Sequence, residues 1–195
     1  MASSFVFPGG KLDPTDTDLA AAARRELAEE AHVTLADDAP LAFWARWVTP
    51  SAEPKRFDVT FFVARLPEGQ EPRVDDRETV QLAWATASEA LARHDAGDPA
   101  FRLPPPQLWT LAEIVGLGGT VDAIFAAAAR RDPAREVVCA PRFCETDGAI
   151  TLLLPWDPDY ATRGIGTGDP APAGHVGLPE SRVLLDGQTW RLRRP

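Results

Sequence analysis

The stretch Phe5 to Val33, FVFPGGKLDPTDTDLAAAARRELAEEAHV, constrains this chain more than any other. An extended Phe-Val-Phe run enters a Gly9-Gly10 turn, which glycine follows without steric cost, and a helix comes next. Leu19, Ala23 and Leu27 recur every four residues and predict the buried face of that helix, which starts near Asp16 to Asp18, where an aspartate can cap free N–H groups. Glu26, Glu29 and Glu30 stand at i, i+3 and i+4, so the spacing predicts carboxylates converging on one stripe, with Arg25 in reach of Glu29. Crowded like charges need either solvent around them or a hard cation such as Mg²⁺ among their oxygens.

Arg25-Glu26-Leu27-Ala28-Glu29-Glu30-Ala31-His32-Val33, behind Phe7-Pro8-Gly9-Gly10, resembles the signature of the Nudix hydrolases, G-x5-E-x7-R-E-U-x-E-E-x-G-U, where U is a bulky apolar residue. Two departures stand out. The interval from Gly10 to Arg25 is one residue longer than the pattern, with the insertion expected within Leu12 to Thr15. Asp16, Thr17 and Asp18 are thereby the candidates for a position the family fills with a loop-shaping glutamate. His32 replaces the closing glycine, where the chain is expected to leave the helix in a left-handed conformation. The resemblance implies an α/β/α sandwich on a mixed sheet and hydrolysis of a diphosphate linked to some group X. It further implies Mg²⁺ or Mn²⁺ held by the Gly9 carbonyl and by Glu26, Glu29 and Glu30, with Arg25 orienting the glutamates. Glu26 and Glu78 share the expectation of general base, and Asp75 and Asp76 stand behind Glu78. The motif opens almost at the first residue, ahead of which the family places strands. Upstream chain, a different start or replacement strands from the C-terminal part would each account for that.

A formal net charge of −9 argues against the clustered basic contacts of a nucleic-acid binder, while a small anionic substrate bridged by cations stays compatible. Cys139 and Cys144 have no second pair or histidine cluster nearby, so reduced thiols are expected. No charged leader and no long apolar run is present, so a cytoplasmic location without a membrane partner is expected.

Leu41 to Val48 and Phe57 to Leu66 read as two antiparallel strands. Trp44 and Trp47 are expected in the core rather than on a base. Arg46, Lys55 and Arg56 are second-rank candidates for substrate diphosphate oxygens. Trp47-Val48-Thr49-Pro50, followed by Arg56-Phe57-Asp58-Val59 and Phe61-Phe62, resembles the longer Nudix branch that includes coenzyme A diphosphatases, which makes coenzyme A or an acyl derivative the leading expectation for X. Arg77 to Ala85 is expected to be a strand before a helix capped by Ser88. Leu108, Leu111, Ala112 and Val115 predict the inner face of the next helix, and Thr120 caps another over Val121 to Arg131. From Arg135 onward, strands are expected at Glu136–Ala140, Ala149–Leu154, Arg182–Leu185 and Thr189–Leu192, with Gly164–Gly174 a mobile surface loop. The expected organisation is a Nudix domain over 1–131 and a β-rich extension over 132–195, which is a candidate wall for the pocket or a contact for a homodimer. A catalytically silent ligand sensor of the same fold is the alternative to the enzyme.

Overall fold

The computed structural model describes residues 4–74, 81–175 and 177–195. In chain order the elements are α1 (Leu19–Ala31), β1 (Leu41–Val48), β2 (Asp58–Ala64), α2 (Ala87–Asp95), a 3₁₀ turn (Pro99–Phe101), α3 (Pro105–Gly116), α4 (Val121–Ala128), β3 (Arg142–Thr146), β4 (Ala149–Leu153), β5 (Arg182–Asp186) and β6 (Thr189–Arg193). The fold is α/β, with helices packed on two antiparallel sheets, β1-β2 and the meander β3-β4-β5-β6. A parallel bridge between Trp47 and Cys139 ties β1 to the segment that leads into β3, since Cys139 N–H donates to the Arg46 carbonyl at 2.8 Å and Val48 N–H to that of Cys139 at 2.9 Å. Among the described residues, no single helix is long and apolar enough to cross a membrane.

β1 owes its packing to a bulge. The register with β2 slips between Phe43 and Ala45, so Trp44 and Ala45 are both buried although they are neighbours in the chain. Trp44 and Trp47 belong to one core cluster with Leu108, Trp109, Leu152, Leu154 and Val183. Ring centroids lie 5.9 Å apart for Trp47 and Trp109 and 5.3 Å apart for Trp109 and Trp156. Arg131 closes this cluster by donating to the Trp44 carbonyl at 2.6 Å and to Glu113 at 2.8 Å. Burial pushes the Glu113 carboxyl above its ordinary value against that pull. His94, also buried, ties α2 to β6: its Nδ1 accepts from Leu103 N–H at 3.1 Å, which leaves Nε2–H to donate to the Trp190 carbonyl at 2.7 Å. A smaller cluster of Ala31, Val33 and Leu35 sits under the end of α1.

Several expectations need correction. Leu19 is exposed; α1 fully buries Ala22 and Ala31, while Ala23 and Leu27 are half-buried and Leu27 packs on the smaller cluster. Thr86, not Ser88, caps α2, through a capping box with Glu89. α3 buries Leu108 to Leu111 and exposes Val115, and α4 ends at Ala128, short of Arg131. The strand before the Asp147-Gly148 turn is Arg142–Thr146, not Glu136–Ala140; both turn residues have positive φ (51° and 78°), the type I′ geometry that joins strands directly on either side of it. Residues 77–80 of the strand expected at Arg77–Ala85 lie outside the described residues, and 81–85 form no strand. In the expected surface loop, Ile165 exchanges hydrogen bonds of 2.9 and 2.7 Å with Phe143, and Gly168 lies so close to Ala140 and the Tyr160 hydroxyl that a side chain there would overlap them.

Candidate active site

Asp18, with extended backbone, caps α1 by accepting from Ala21 N–H at 2.8 Å. Ahead of it the inserted residues fold into a self-bonded turn: Asp13 accepts from the backbone and hydroxyl of Thr15 at 2.9 and 2.7 Å, and Asp16 accepts from Asp13 N–H at 2.8 Å. The Thr15 backbone N–H holds the Asp13 carboxyl below its usual range. The turn presents Asp16 to Arg25. Nε and Nη2 of Arg25 donate to the two Asp16 oxygens at 3.1 and 2.9 Å. Nη2 also reaches the Lys11 carbonyl at 3.0 Å, while Nη1 spans Glu26 at 2.9 Å and Glu29 at 3.1 Å. These contacts use every N–H a guanidinium has. The Arg25 guanidinium beside Asp16 lowers the Asp16 pKa, and Asp16 and Glu26 together raise that of Arg25.

The Gly-Gly turn is held against the same helix face. Gly9 N–H donates to Glu30 at 2.9 Å, and Gly10 is packed on the Glu26 carboxylate so closely that a methyl group at Gly10 would overlap it. His32 ends α1 at φ 53° and ψ 32°, as a helix stop requires, with its N–H on the Leu27 carbonyl.

Glu26, Glu29, Glu30 and Gly9 therefore share one patch, in which Arg25 Nη1 bridges Glu26 and Glu29 and Glu30 turns to Gly9. Among the described residues no three acidic, histidine or cysteine side chains are gathered as a metal cage. The helical spacing fixes only where the Cα atoms lie, and each long side chain turns to its nearest donor: Glu26 and Glu29 to Arg25, Glu30 to Gly9. Glu26 is covered, its side chain 13% exposed, whereas that of Glu29 is 59% exposed. The donor set of carboxylate oxygens suits a hard cation, and the exposed Glu29 has space to turn toward one. Glu78, Asp75 and Asp76 lie outside the described residues.

The three cationic substrate candidates are engaged elsewhere. Arg46 pairs with Asp58 through two hydrogen bonds of 2.8 and 2.6 Å, Arg56 donates to the Thr49 carbonyl at 3.1 Å, and Lys55 stands 5.1 Å from the Phe57 ring centroid. None of them lines the cavity of about 880 Å³ that opens beside the box. That cavity runs from Phe7, Pro8, Leu27 and Glu30 to Leu82 and Trp84, with Arg65, Gln81 and Gln107 as further polar groups in its wall. Sequence reasoning missed this wall, because nothing local marks Trp84 as different from the buried tryptophans.

Asp16 yields the first expectation. With a divalent ion at the glutamates, as the family resemblance implies, Asp16→Ala should lower turnover about 10- to 100-fold, the usual cost of losing a group that orients the residues around a metal, and Asp16→Glu should recover part of it. Steady-state kinetics beside Mn²⁺ binding would check this; unaltered values for both would remove Asp16 from the site.

A stretch of 75 residues is 31% identical to the acyl-coenzyme A diphosphatase NUDT19 of Xenopus laevis, covering 36% of this chain and 19% of that protein. The match thus spans about a fifth of that relative's length. No solved structure matches the chain. The model of the NUDIX domain matches residues 2–103, slightly more than half of the chain, and takes in the glycine turn, the arginine-centred helix and β1-β2. With the departures at the inserted turn and at His32, this chain belongs to the Nudix family.

Proposed function

We propose that this chain hydrolyses the diphosphate bond of a nucleoside diphosphate linked to a group X, in a reaction that depends on Mg²⁺ or Mn²⁺. One observation carries the reading: Glu30 both holds the glycine turn through Gly9 N–H and lines the large cavity, so the acidic patch and a space of substrate size are continuous. Glu26, Glu29, Glu30 and the Gly9 carbonyl would hold the cation. A bound divalent ion supplies charge neutralisation of the diphosphate and a more acidic water. Arg25 keeps Glu26 and Glu29 side by side, and Asp16 and the Lys11 carbonyl keep Arg25 in place. The base that takes the proton from the attacking water is Glu26 or Glu78. For X, coenzyme A or an acyl derivative leads. The resemblance of the Trp47–Phe62 region and the 31% identity over 75 residues to the frog acyl-coenzyme A diphosphatase both support it.

The second reading, a silent ligand sensor, is favoured by the covered Glu26, whose carboxylate is bonded to Arg25 and packed on Gly10. Hydrolysis assayed on coenzyme A, ADP-ribose, nucleotide sugars, dinucleotide polyphosphates and nucleoside triphosphates, with and without Mg²⁺ or Mn²⁺, separates the two. Metal-dependent cleavage of one substrate establishes the enzyme and, by product mass, the bond. Binding of a panel member without turnover establishes the sensor.

A further inference from the structure

The chain has six tryptophans. Trp44, Trp47 and Trp109 are buried in the core, and Trp156 packs between Trp109 and His175. Trp84 differs: it is 68% exposed, sits in the wall of the large cavity, and makes no ring stacking or cation–π contact among the described residues. An indole left in water forgoes the apolar burial that its size would give, so such an indole beside a pocket is a surface prepared for a partner ring.

The cavity suits a ligand with two unlike ends. Glu30 and Pro8 of the acidic box bound part of it, and a mainly apolar wall with Trp84, Gln81, Gln107 and Arg65, the last paired with Asp122, bounds the rest. Each glutamine amide offers both donors and an acceptor, the set needed to read the polar edge of a heterocycle. The volume of about 880 Å³ falls within the usual range for small-molecule sites. On the proposed function, on which this inference rests, the charged end of the substrate belongs at the carboxylates.

We propose that Trp84 stacks on the nucleobase of the nucleoside diphosphate, with Gln81 and Gln107 facing the edge of that base, so that the nucleoside half occupies the cavity and X extends outward. Trp84 then acts on specificity, through affinity for the base.

The test is calorimetric titration of the wild-type protein, Trp84→Ala and Trp84→Phe with ADP and with ribose 5-phosphate, which lacks the base, in the presence of Mg²⁺. Trp84→Ala should weaken ADP about tenfold or more while leaving ribose 5-phosphate alone, and Trp84→Phe should retain most of the ADP affinity. In kinetics the alanine variant should raise KM by a similar factor with a smaller change in kcat. Equal ADP affinity in wild type and Trp84→Ala, equal loss for both ligands, or no ADP binding by the wild type would each overturn the assignment. Wild-type hydrolysis measured on the same preparation keeps the two levels apart. Turnover with an indifferent Trp84→Ala rejects only the stacking role, and absence of turnover on the whole panel rejects the enzyme.

Discussion

On the proposed function, replacing Glu29 and Glu30 together by glutamine should reduce metal-dependent hydrolysis by about 10³-fold or more, because several kcal/mol of transition-state charge stabilisation would go with the ion assigned to them. The pair is suited to a clean test. Glu29 is mostly exposed, and the side-chain oxygen of a glutamine at position 30 can still accept from Gly9 N–H, so the turn keeps its anchor. Stability should therefore change by less than about 1 kcal/mol. A melt confirming the fold, followed by Mn²⁺ titration and turnover, reads the result; undiminished hydrolysis in the folded double variant would refute the assigned site.

The second large effect concerns stability. Asp157 has a fully buried side chain that accepts from the Ser181 hydroxyl at 2.6 Å, from Nε and Nη2 of Arg182 at 2.9 and 3.3 Å, and from Asp159 N–H at 2.9 Å. It thereby closes the long connection between β4 and β5. Asp157→Ala removes the Ser181 and Nε contacts and leaves Arg182, itself only 15% exposed, with Asp159 at 2.8 Å as its remaining carboxylate, and should cost about 2 kcal/mol in urea unfolding. Burial pushes this carboxyl up, but Arg182, Ser181 and the backbone together outweigh it and leave its pKa below the ordinary 3.8. The charged form is thus favoured on folding. Its contribution is whole above the unfolded value of 3.8 and fades as pH falls through the lower folded value. The stability gap between wild type and Asp157→Asn should accordingly narrow below about pH 4, and a gap independent of pH down to the acid transition would contradict this.

Much of the site was legible because its chemistry is local. Arg25 reaching Glu29, the capping aspartate and the left-handed His32 all follow from positions a few residues apart. The choice among Asp16, Thr17 and Asp18 was open in the sequence, because an insertion destroys spacing as a guide, and only the folded turn shows that Asp16 meets Arg25. The directions of the glutamates were likewise invisible: periodicity places Cα atoms on a face, and neighbouring donors decide where long side chains point. In the fold, β1 and β2 were readable from composition, as were the strands on either side of Gly187. The misplaced strand at Glu136–Ala140 shows apolar content winning over turn geometry. A two-residue turn at Asp147-Gly148 requires pairing to begin at once, and Phe143 opposite Leu152 satisfies that where Val138 cannot. The cavity wall was beyond reach because it assembles from segments far apart in the chain.

The cluster that unites Trp44, Trp47 and Trp109 with Leu152, Leu154 and Val183 has a consequence for how the chain can vary. The family likeness runs to residue 103, yet the interior it helps to form is completed by residues beyond it. The region that the family likeness covers is smaller than the unit that shares this core. Substitutions in the C-terminal strands are therefore filtered by their fit to Trp44 and Trp47, which lie inside the matched region, and to Trp109, which lies just beyond it. Drift in the tail is not free, even where its residues never touch a substrate.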